Sequence, residues 1–202
     1  VEGVGSSASA FRSSVVITGN MKHLTGFLAL FLCAALPIHA AGLDDLTWTT
    51  TNHEVTITYC DEAASGELVI PDTIEGNPVT SIVEGSFWDC TSLTSITIPD
   101  SVTSIEDYTF CGCTSLTTIE VGAKNLTYTG FNGVLFNKEK TTLYTYPAAK
   151  TGANYVIPNS VTSIGEVAFD ECSSLTSITI PDSVTRIGKV AFWGCSGLTP
   201  IT

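Results

Sequence analysis

Basic residues are scarce in this chain. Eight of its 202 residues are Lys or Arg, whereas 20 are Asp or Glu, so the formal net charge is −12. A protein that binds nucleic acid or anionic lipid needs a cationic surface facing the phosphates. The composition therefore argues against both as partners. It also argues against an intrinsically disordered chain, since 44% of the residues are hydrophobic.

Histidine is nearly absent after residue 40, where His53 is the only one. A single histidine leaves no ordinary Ser-His-Asp or Cys-His arrangement and no His-rich metal site, and we expect His53 to be a solvent-exposed turn residue. Paired carboxylates can serve glycoside hydrolysis or calcium binding. Acidic pairs of the cap and repeats, however, lie between apolar positions, where solvated charge is the default: Asp61-Glu62, Glu106-Asp107 and Asp170-Glu171. The sequence thus predicts no enzymatic activity, no metal and no cofactor.

Methionine occurs once, at Met21, and a targeting signal follows it. A positive charge, an apolar run of about 13 residues (Leu24–Leu36) and a small residue at a plausible cleavage point, Ala40, come in that order. This order predicts a secretory signal peptide over residues 21–40 rather than a buried helix, and the run is too short to remain as a membrane span. We then expect residues 1–20 to be sequence upstream of the true start. We expect a secreted or cell-surface protein, with no membrane insertion after cleavage.

A repeat of 23 residues dominates the remaining sequence. Each copy has a Val-x-x-Ile segment, a Phe, a Cys and a Leu-x-x-Ile segment at fixed distances, and the copies begin at Val79, Val102, Val161 and Val184. In the first three copies the last segment extends to Leu-x-x-Ile-x-Ile or Leu-x-x-Ile-x-Val. The segments 92–105 and 174–187 differ at one position. Such self-similarity indicates a repeat architecture.

One repeat corresponds to one turn of a coil. The Leu-x-x-Ile-x-Ile and Val-Thr-Ser-Ile segments predict short strands, and the Phe-x-x-Cys stretch allows a brief helical or 3-10 turn. A single turn buries too few apolar side chains to fold alone, so neighbouring turns must stack. We therefore predict a repeat solenoid of short stacked β-strands over residues 67–202, with the equivalent phenylalanines in one file: Phe87, Phe110, Phe169 and Phe192.

The cysteines of the repeats form a predicted structural column: Cys90, Cys113, Cys172 and Cys195. Buried free thiols are the favoured state, because equivalent side chains in stacked turns point in parallel. Disulfides stay open, since the spacing of the turns and an even number of cysteines after residue 40 both permit them. Cys111 is offset from the column and is expected to face outward, and Cys60 lies upstream of the repeats.

Residues 41–66 are predicted to form an N-terminal β cap that covers the first apolar layer of the solenoid. Two strand patterns, Leu46–Thr50 and Glu54–Cys60, are joined by a short polar turn and indicate a hairpin. In the second, apolar residues alternate with polar ones, which predicts one buried face: Val55, Ile57 and Tyr59.

An insertion at about residues 122–156 separates the two pairs of repeats. Val134–Phe136 and Leu143–Tyr146 flank a polar stretch, which predicts a hairpin. Because Pro147 follows the second arm as Pro99 follows its strand, we align that arm with the Leu-x-x-Ile-x-Ile strands. The insertion is thus expected to be an enlarged turn of the stack.

These residues carry a family resemblance. Residues 157–179, IPNSVTSIGEVAFDECSSLTSIT, resemble the repeat of BspA-like (Treponema pallidum type) leucine-rich repeat proteins, with Asn159 where the motif has Asp. Residues 133–158 are similar to an insert of that family, and residues 68–82 to its usual first repeat. The resemblance implies a curved, right-handed leucine-rich repeat solenoid. It also implies a secreted or cell-surface protein that binds other macromolecules, as some adhesin-like members do.

Two surfaces are candidate ligand-binding sites. In the Leu-x-x-Ile-x-Ile strands, the side chains that point away from the core are mostly small and hydroxylated: Ser95, Thr97, Thr118, Glu120, Ser177 and Thr179. Glu67/Val69, Leu143/Thr145 and Asn154/Val156 are aligned with them. The second surface carries Trp88 and Trp193, which follow the core phenylalanines in a position expected to face outward, shared with Cys111 and Asp170. Exposed Trp is typical of interfaces, although each ring can instead lie flat over its own turn.

The sequence therefore predicts a secreted or cell-surface, non-catalytic protein that mediates adhesin-like protein–protein interactions. Its partner is expected to be an extracellular protein or a glycan. The alternatives are a glycan-binding module and a structural spacer within a longer surface protein, since the chain ends inside a repeat at Thr202 and is expected to be C-terminally truncated. Asn125-Leu126-Thr127 is also a glycosylation sequon.

Overall fold

The computed structural model describes residues 40–199. The predicted signal peptide except Ala40, the segment upstream of it and residues 200–202, which include Ile201, lie outside this range. A single 3-10 turn, Leu43–Asp45, precedes fifteen short strands. The strands are β1 (Leu46–Thr51), β2 (Glu54–Cys60), β3 (Gly66–Val69), β4 (Thr73–Ile74), β5 (Asn77–Ile82), β6 (Leu93–Ile98), β7 (Ser104–Ile105), β8 (Thr118–Val121), β9 (Tyr128–Phe131), β10 (Val134–Asn137), β11 (Thr142–Thr145), β12 (Asn154–Val156), β13 (Ser163–Ile164), β14 (Ser177–Thr179) and β15 (Arg186–Ile187). Within residues 40–199, no helix has the length and apolar character needed to cross a membrane.

The strands form two parallel ladders that run along the stack. The Leu-strand ladder consists of β3–β6–β8 and β12–β14, and the Val-strand ladder of β2–β5–β7 and β11–β13–β15. Partners are equivalent residues of neighbouring repeats, as where Ser81 lies opposite Ser104 and Ile96 opposite Ile119. The prediction of a solenoid is confirmed, with about 6 turns and almost no helix. A one-residue slip would turn every apolar side chain outward, so the hydrophobic pattern holds this register.

The N-terminal cap is the predicted hairpin. Strands β1 and β2 pair antiparallel, and β2 pairs parallel with β5, so the hairpin continues the Val-strand ladder. Its turn residues Asn52 and His53 have φ of 52° and 64°, as a tight two-residue hairpin turn requires. The alternation predicted for β2 is wrong at Tyr59, which is 45% exposed while Cys60 is buried. A register shift opposite β1 causes this by turning one residue outward.

The insertion contributes a three-stranded meander, because β10 pairs antiparallel with both β9 and β11. Strand β11 then pairs parallel with β13, where Leu143 lies opposite Ile164. The alignment of this arm with the Leu-x-x-Ile-x-Ile strands is therefore wrong: it belongs to the Val-strand ladder. Leu143, expected to point away from the core, is fully buried, since its register partner Ile164 is a core position.

The core consists of two apolar clusters that meet at β10. Leu135 packs into the N-terminal cluster, whereas Val134 and Phe136 pack into the C-terminal one, and all three are fully buried. Successive side chains of a strand point to opposite faces, so β10 contributes side chains to both clusters. The phenylalanine file is likewise in two parts. Phe87 stacks on Phe110 at 5.5 Å, and Phe169 stacks on Phe192 at 5.0 Å.

Candidate functional site: the turn edge

The Phe-x-x-Cys stretches of the repeats lie side by side and form what we call the turn edge, residues 84–90, 107–113, 166–172 and 189–195. They are hydrogen-bonded turns rather than helices, as where Trp88 N–H donates to Gly85 O and Cys90 N–H to Phe87 O. Two positions in every turn have left-handed backbone, which interrupts a helix. The first set is Gly85, Tyr108, Val167 and Val190, and the second is Asp89, Gly112, Glu171 and Gly194.

The two tryptophans of the turn edge are exposed. Trp88 is 49% and Trp193 62% accessible, so a large part of each ring faces solvent. Trp88 also lies partly over its own turn, with its Cε3 atom 3.6 Å from the position that a Cβ atom on Gly85 would take. The structure thus places both rings in equivalent positions at opposite ends of one edge.

In the middle of this edge, the position that the tryptophans occupy at its ends is covered. Asp170 occupies the same position as the tryptophans but is only 9% exposed, and Cys111 is half-buried, so the expectation that both face outward is wrong. The reason is that the turns on either side of the insertion touch each other here. Gly112 N–H donates to Asp170 Oδ2 at 2.8 Å, across 58 residues of sequence. Burial and the neighbouring Asp170 raise the pKa of Cys111 to about 12.

A second contact joins the same two turns at the surface. Tyr108 Oη donates to Glu166 Oε2 at 3.0 Å, and this hydrogen bond raises the pKa of Tyr108. Burial, Glu166 and Glu106 together raise the pKa of Asp107. These carboxylates are therefore close enough to repel one another. The turn edge is continuous across the insertion.

The Leu-strand ladder, by contrast, is interrupted there. Ser95 lies opposite Thr118, and Thr97 opposite Glu120, in the N-terminal part, and the C-terminal part holds Ser177 and Thr179 on a separate two-stranded sheet. Within the first part, Thr118 Oγ1 donates to Glu120 Oε1 at 3.1 Å. The predicted hydroxylated positions are thus outward or half-buried as expected, but they form two surfaces rather than one.

The cysteine column is a set of free thiols in the structure. Each thiol donates to a backbone carbonyl of the preceding turn, as where Cys113 Sγ lies 3.1 Å from Phe87 O and Cys195 Sγ 2.9 Å from Phe169 O. Burial raises the pKa of the Cys113 thiol. Cysteine suits this buried position because its side chain is small and has one donor, which the backbone carbonyl accepts.

Asn125, the acceptor of the predicted sequon, is fully buried. Its Nδ2 group donates to Pro99 O and Val102 O, each at 2.9 Å, and its Oδ1 atom accepts from Thr127 N–H and Tyr128 N–H. A glycan on Nδ2 would remove a donor from a space that has no room for it. The folded chain therefore cannot carry a glycan at this sequon, and Asn125 instead organises the start of the insertion.

No group of three or more His, Cys, Asp or Glu side chains between residues 40 and 199 is arranged to hold a metal ion. His53 is exposed in the cap turn, as predicted. The turn edge is instead a surface with two exposed aromatic rings and a crowded group of carboxylates between them.

Comparison with known proteins assigns the family. The BspA-type leucine-rich repeat region (6 copies) matches residues 67–144 and 141–202. The chain belongs to this BspA-type leucine-rich repeat family. No curated protein matches the sequence.

Two solved structures place this BspA-type chain among leucine-rich repeat folds. The pneumococcal vaccine antigen PcpA is 24% identical with a TM-score of 0.62, over 73% of this chain and 42% of that one. A leucine-rich cell surface protein from Faecalibacterium prausnitzii is 29% identical with a TM-score of 0.52, over 71% of this chain and 40% of that one. The present chain therefore spans less than half the length of either.

Sequence reasoning does not single out Glu84, Tyr108 or Glu166 as site residues. The repeat spacing carries a signal for two of them. Glu84 and Asp107 are 23 residues apart, and Asp107 and Glu166 are 59 apart, which puts the three acids in one position of successive repeats. That the insertion leaves these turns in contact is visible only in the folded chain.

Proposed function

We propose that the chain is a non-catalytic module that binds a protein partner outside the cell through its turn edge. The observation that carries the proposal is the pair Trp88 and Trp193, exposed in equivalent positions on a surface that is continuous across the insertion. Tryptophan supplies a large rigid contact area and is enriched among residues that dominate binding energy.

Two further points support this proposal. Leucine-rich repeat proteins of this family are generally non-catalytic. The relative from Faecalibacterium prausnitzii, at 29% identity, is described as a cell surface protein, which agrees with the secretory signal predicted before residue 41. These two points and the exposed rings together support an adhesin-like role outside the cell.

The test is a binding screen with the full chain against purified extracellular matrix proteins and polysaccharides, measured by biolayer interferometry. We expect a protein ligand, with Kd raised about tenfold or more by Trp88→Ala or Trp193→Ala. Val69→Ala and Val156→Ala are matched controls, since both valines are exposed on the Leu-strand ladder, and they should leave Kd unchanged.

Three results would overturn the proposal. Unchanged binding in both tryptophan variants would remove the turn edge as the site. Loss of binding in the valine controls alone would show that the partner binds the Leu-strand ladder and not the turn edge. Binding of polysaccharides only, or of no protein in the panel, would count against a protein-binding function.

A further inference from the structure

The turn edge contains an open acidic cleft between its two tryptophans. Glu84, Asp107 and Glu166 occupy one position in three turns that touch in succession. Tyr108 Oη donates to Glu166 at 3.0 Å, and Glu84 N–H donates to Glu106 Oε2 at 2.9 Å. The space between them has a volume of about 420 Å³ and is lined by Glu84, Ile105, Glu106, Asp107, Tyr108 and Glu166. Four of these six side chains are carboxylates.

Nothing in this half of the protein neutralises the cleft. Residues 40–123 contain 14 Asp and Glu and no Lys or Arg. The first basic residue in the same position of a later turn is Lys189, beyond Glu166. Like charges held together without a counter-charge disfavour one another's ionised form. The carboxylates of the cleft therefore repel one another in the free protein.

A buried carboxylate oxygen lies in a cavity that shares walls with the cleft. Asp170 is only 9% exposed, and its Oδ1 atom has no hydrogen-bond partner, although Oδ2 accepts from Gly112 N–H. It lines a cavity of about 30 Å³ whose walls include Glu106, Asp107 and Glu166, which also line the cleft. An unpaired buried carboxylate oxygen is costly, and a positive charge in the cleft would lower that cost.

The shape of the site favours an organic cation over a metal ion. The acidic side chains between residues 40 and 199 include no group of three placed to ligate one ion. An ammonium or guanidinium group on a flexible stem fits an open cleft and can donate to several carboxylates at once. Trp88 packs over Gly85, the residue that follows the cleft residue Glu84, and an aromatic ring near the cleft can contact a cationic side chain.

We infer that the acidic cleft binds an Arg or Lys side chain from a cationic segment of the protein partner. This inference rests on the proposed protein-binding function and names the chemistry of the partner. Charge complementarity would steer the segment to the acidic half of the chain, and the adjacent Trp88 would provide the apolar part of the contact.

The experiment measures fluorescence anisotropy of a fluorescein-labelled hexa-arginine peptide with the full chain in about 150 mM NaCl, where exposed charges are screened beyond about 8 Å. The cleft variant is Asp107→Asn with Glu166→Gln. The matched control is Asp72→Asn with Glu75→Gln, which removes the same charge from exposed acids outside the cleft. We expect about a tenfold rise in Kd for the cleft variant and less than about twofold for the control.

Thermal unfolding of the same variants separates binding from folding. Because the cleft variant removes repulsion, it should melt at or above the temperature of the wild-type chain while it binds the peptide less well. If it melts lower, Glu84→Gln with Glu106→Gln on the opposite wall serves as the second variant and should also weaken binding about tenfold. Equal effects of cleft and control variants, or no peptide binding by the wild-type chain, would overturn the inference. The protein-binding function would still stand if Trp88→Ala weakened capture of the protein ligand.

Discussion

The ring of Tyr146 stacks on the ring of Phe169, with their centroids 5.3 Å apart and their planes at 25°. Tyr146 N–H donates to Ala168 O, as Phe169 N–H donates to Ala191 O. Tyr146 is therefore the phenylalanine position of the turn that the insertion creates. It begins the C-terminal ring stack, which continues through Phe169 to Phe192.

Removal of this ring should destabilise the C-terminal half. Tyr146 is 3% exposed, so Tyr146→Ala leaves a cavity beside Phe169 and should lower the free energy of unfolding by about 3–4 kcal/mol. Tyr146→Phe keeps the stack and should change it by less than about 1 kcal/mol. Urea unfolding followed by circular dichroism gives both values. Similar losses in the two variants would mean that the hydroxyl group, not the ring, stabilises this turn.

Asn125 should be among the most sensitive polar positions of the chain. Asn125→Ala removes a buried amide that makes four hydrogen bonds and leaves the carbonyls of Pro99 and Val102 without that donor. The expected loss in free energy of unfolding is about 2–4 kcal/mol. Asn159→Ala, at an exposed asparagine of a Pro-Asn corner, is the control and should change it by less than about 0.5 kcal/mol. Equal effects at the two sites would contradict the assigned role.

Replacement of Val190 by glycine should stabilise the folded chain. Val190 has φ of 46° and is 50% exposed, so its β-branched side chain strains the backbone and buries little apolar surface. Relief of that strain exceeds the entropy cost of glycine in the unfolded chain, and Val190→Gly should raise the free energy of unfolding by about 0.5–1 kcal/mol.

The same substitution in a strand should have the opposite sign. Val156 lies in β12 and is 66% exposed, without positive φ. Val156→Gly should lower the free energy of unfolding by about 0.5–1 kcal/mol. Differential scanning calorimetry of both variants checks the pair. Destabilisation by both would show that position 190 is not strained.

The crowding around Asp107 should appear as a pH dependence of stability. Burial, Glu166 and Glu106 raise its pKa above the ordinary value of 3.8, so the folded chain binds the proton more tightly than the unfolded chain. This contribution favours the folded state at low pH and is lost as pH rises from 3.8 through the folded pKa. Asp107→Asn should remove that loss and stabilise the chain near pH 7 by no more than about 0.5 kcal/mol, because the side chain is only partly desolvated and solvent screens most of the repulsion.

Chemical unfolding at about pH 3 and pH 7 tests this sign. The difference in stability between Asp107→Asn and wild type should be more positive at pH 7 than at pH 3. Asp72→Asn, at an exposed carboxylate away from Glu106 and Glu166, should show a smaller change. A variant that is less stable than wild type at pH 7 would contradict the repulsion.

Within the repeats, the amino-acid sequence by itself determines the architecture. The 23-residue spacing brings Ile96 opposite Ile119 and Phe87 against Phe110, because equivalent residues of identical turns can only stack on one another. The hairpin cap and the cysteine column follow from the same local patterns. The physical reason is that each turn is too small to be stable alone, so the apolar period must continue from turn to turn.

The tertiary structure decided what happens where the repeat is broken. The arm Leu143–Tyr146 has an apolar alternation before a proline, which fits either ladder, and only its neighbours β10 and β13 place it in the Val-strand ladder. The burial of Asp170 and the contact of Tyr108 with Glu166 have the same origin. They join turns that are 58 residues apart. The local sequence of neither turn indicates how the insertion between them folds, so it does not predict that the two turns touch. The candidate site lies at this junction. There, tertiary packing and not the repeat pattern determines which charged side chains lie close together.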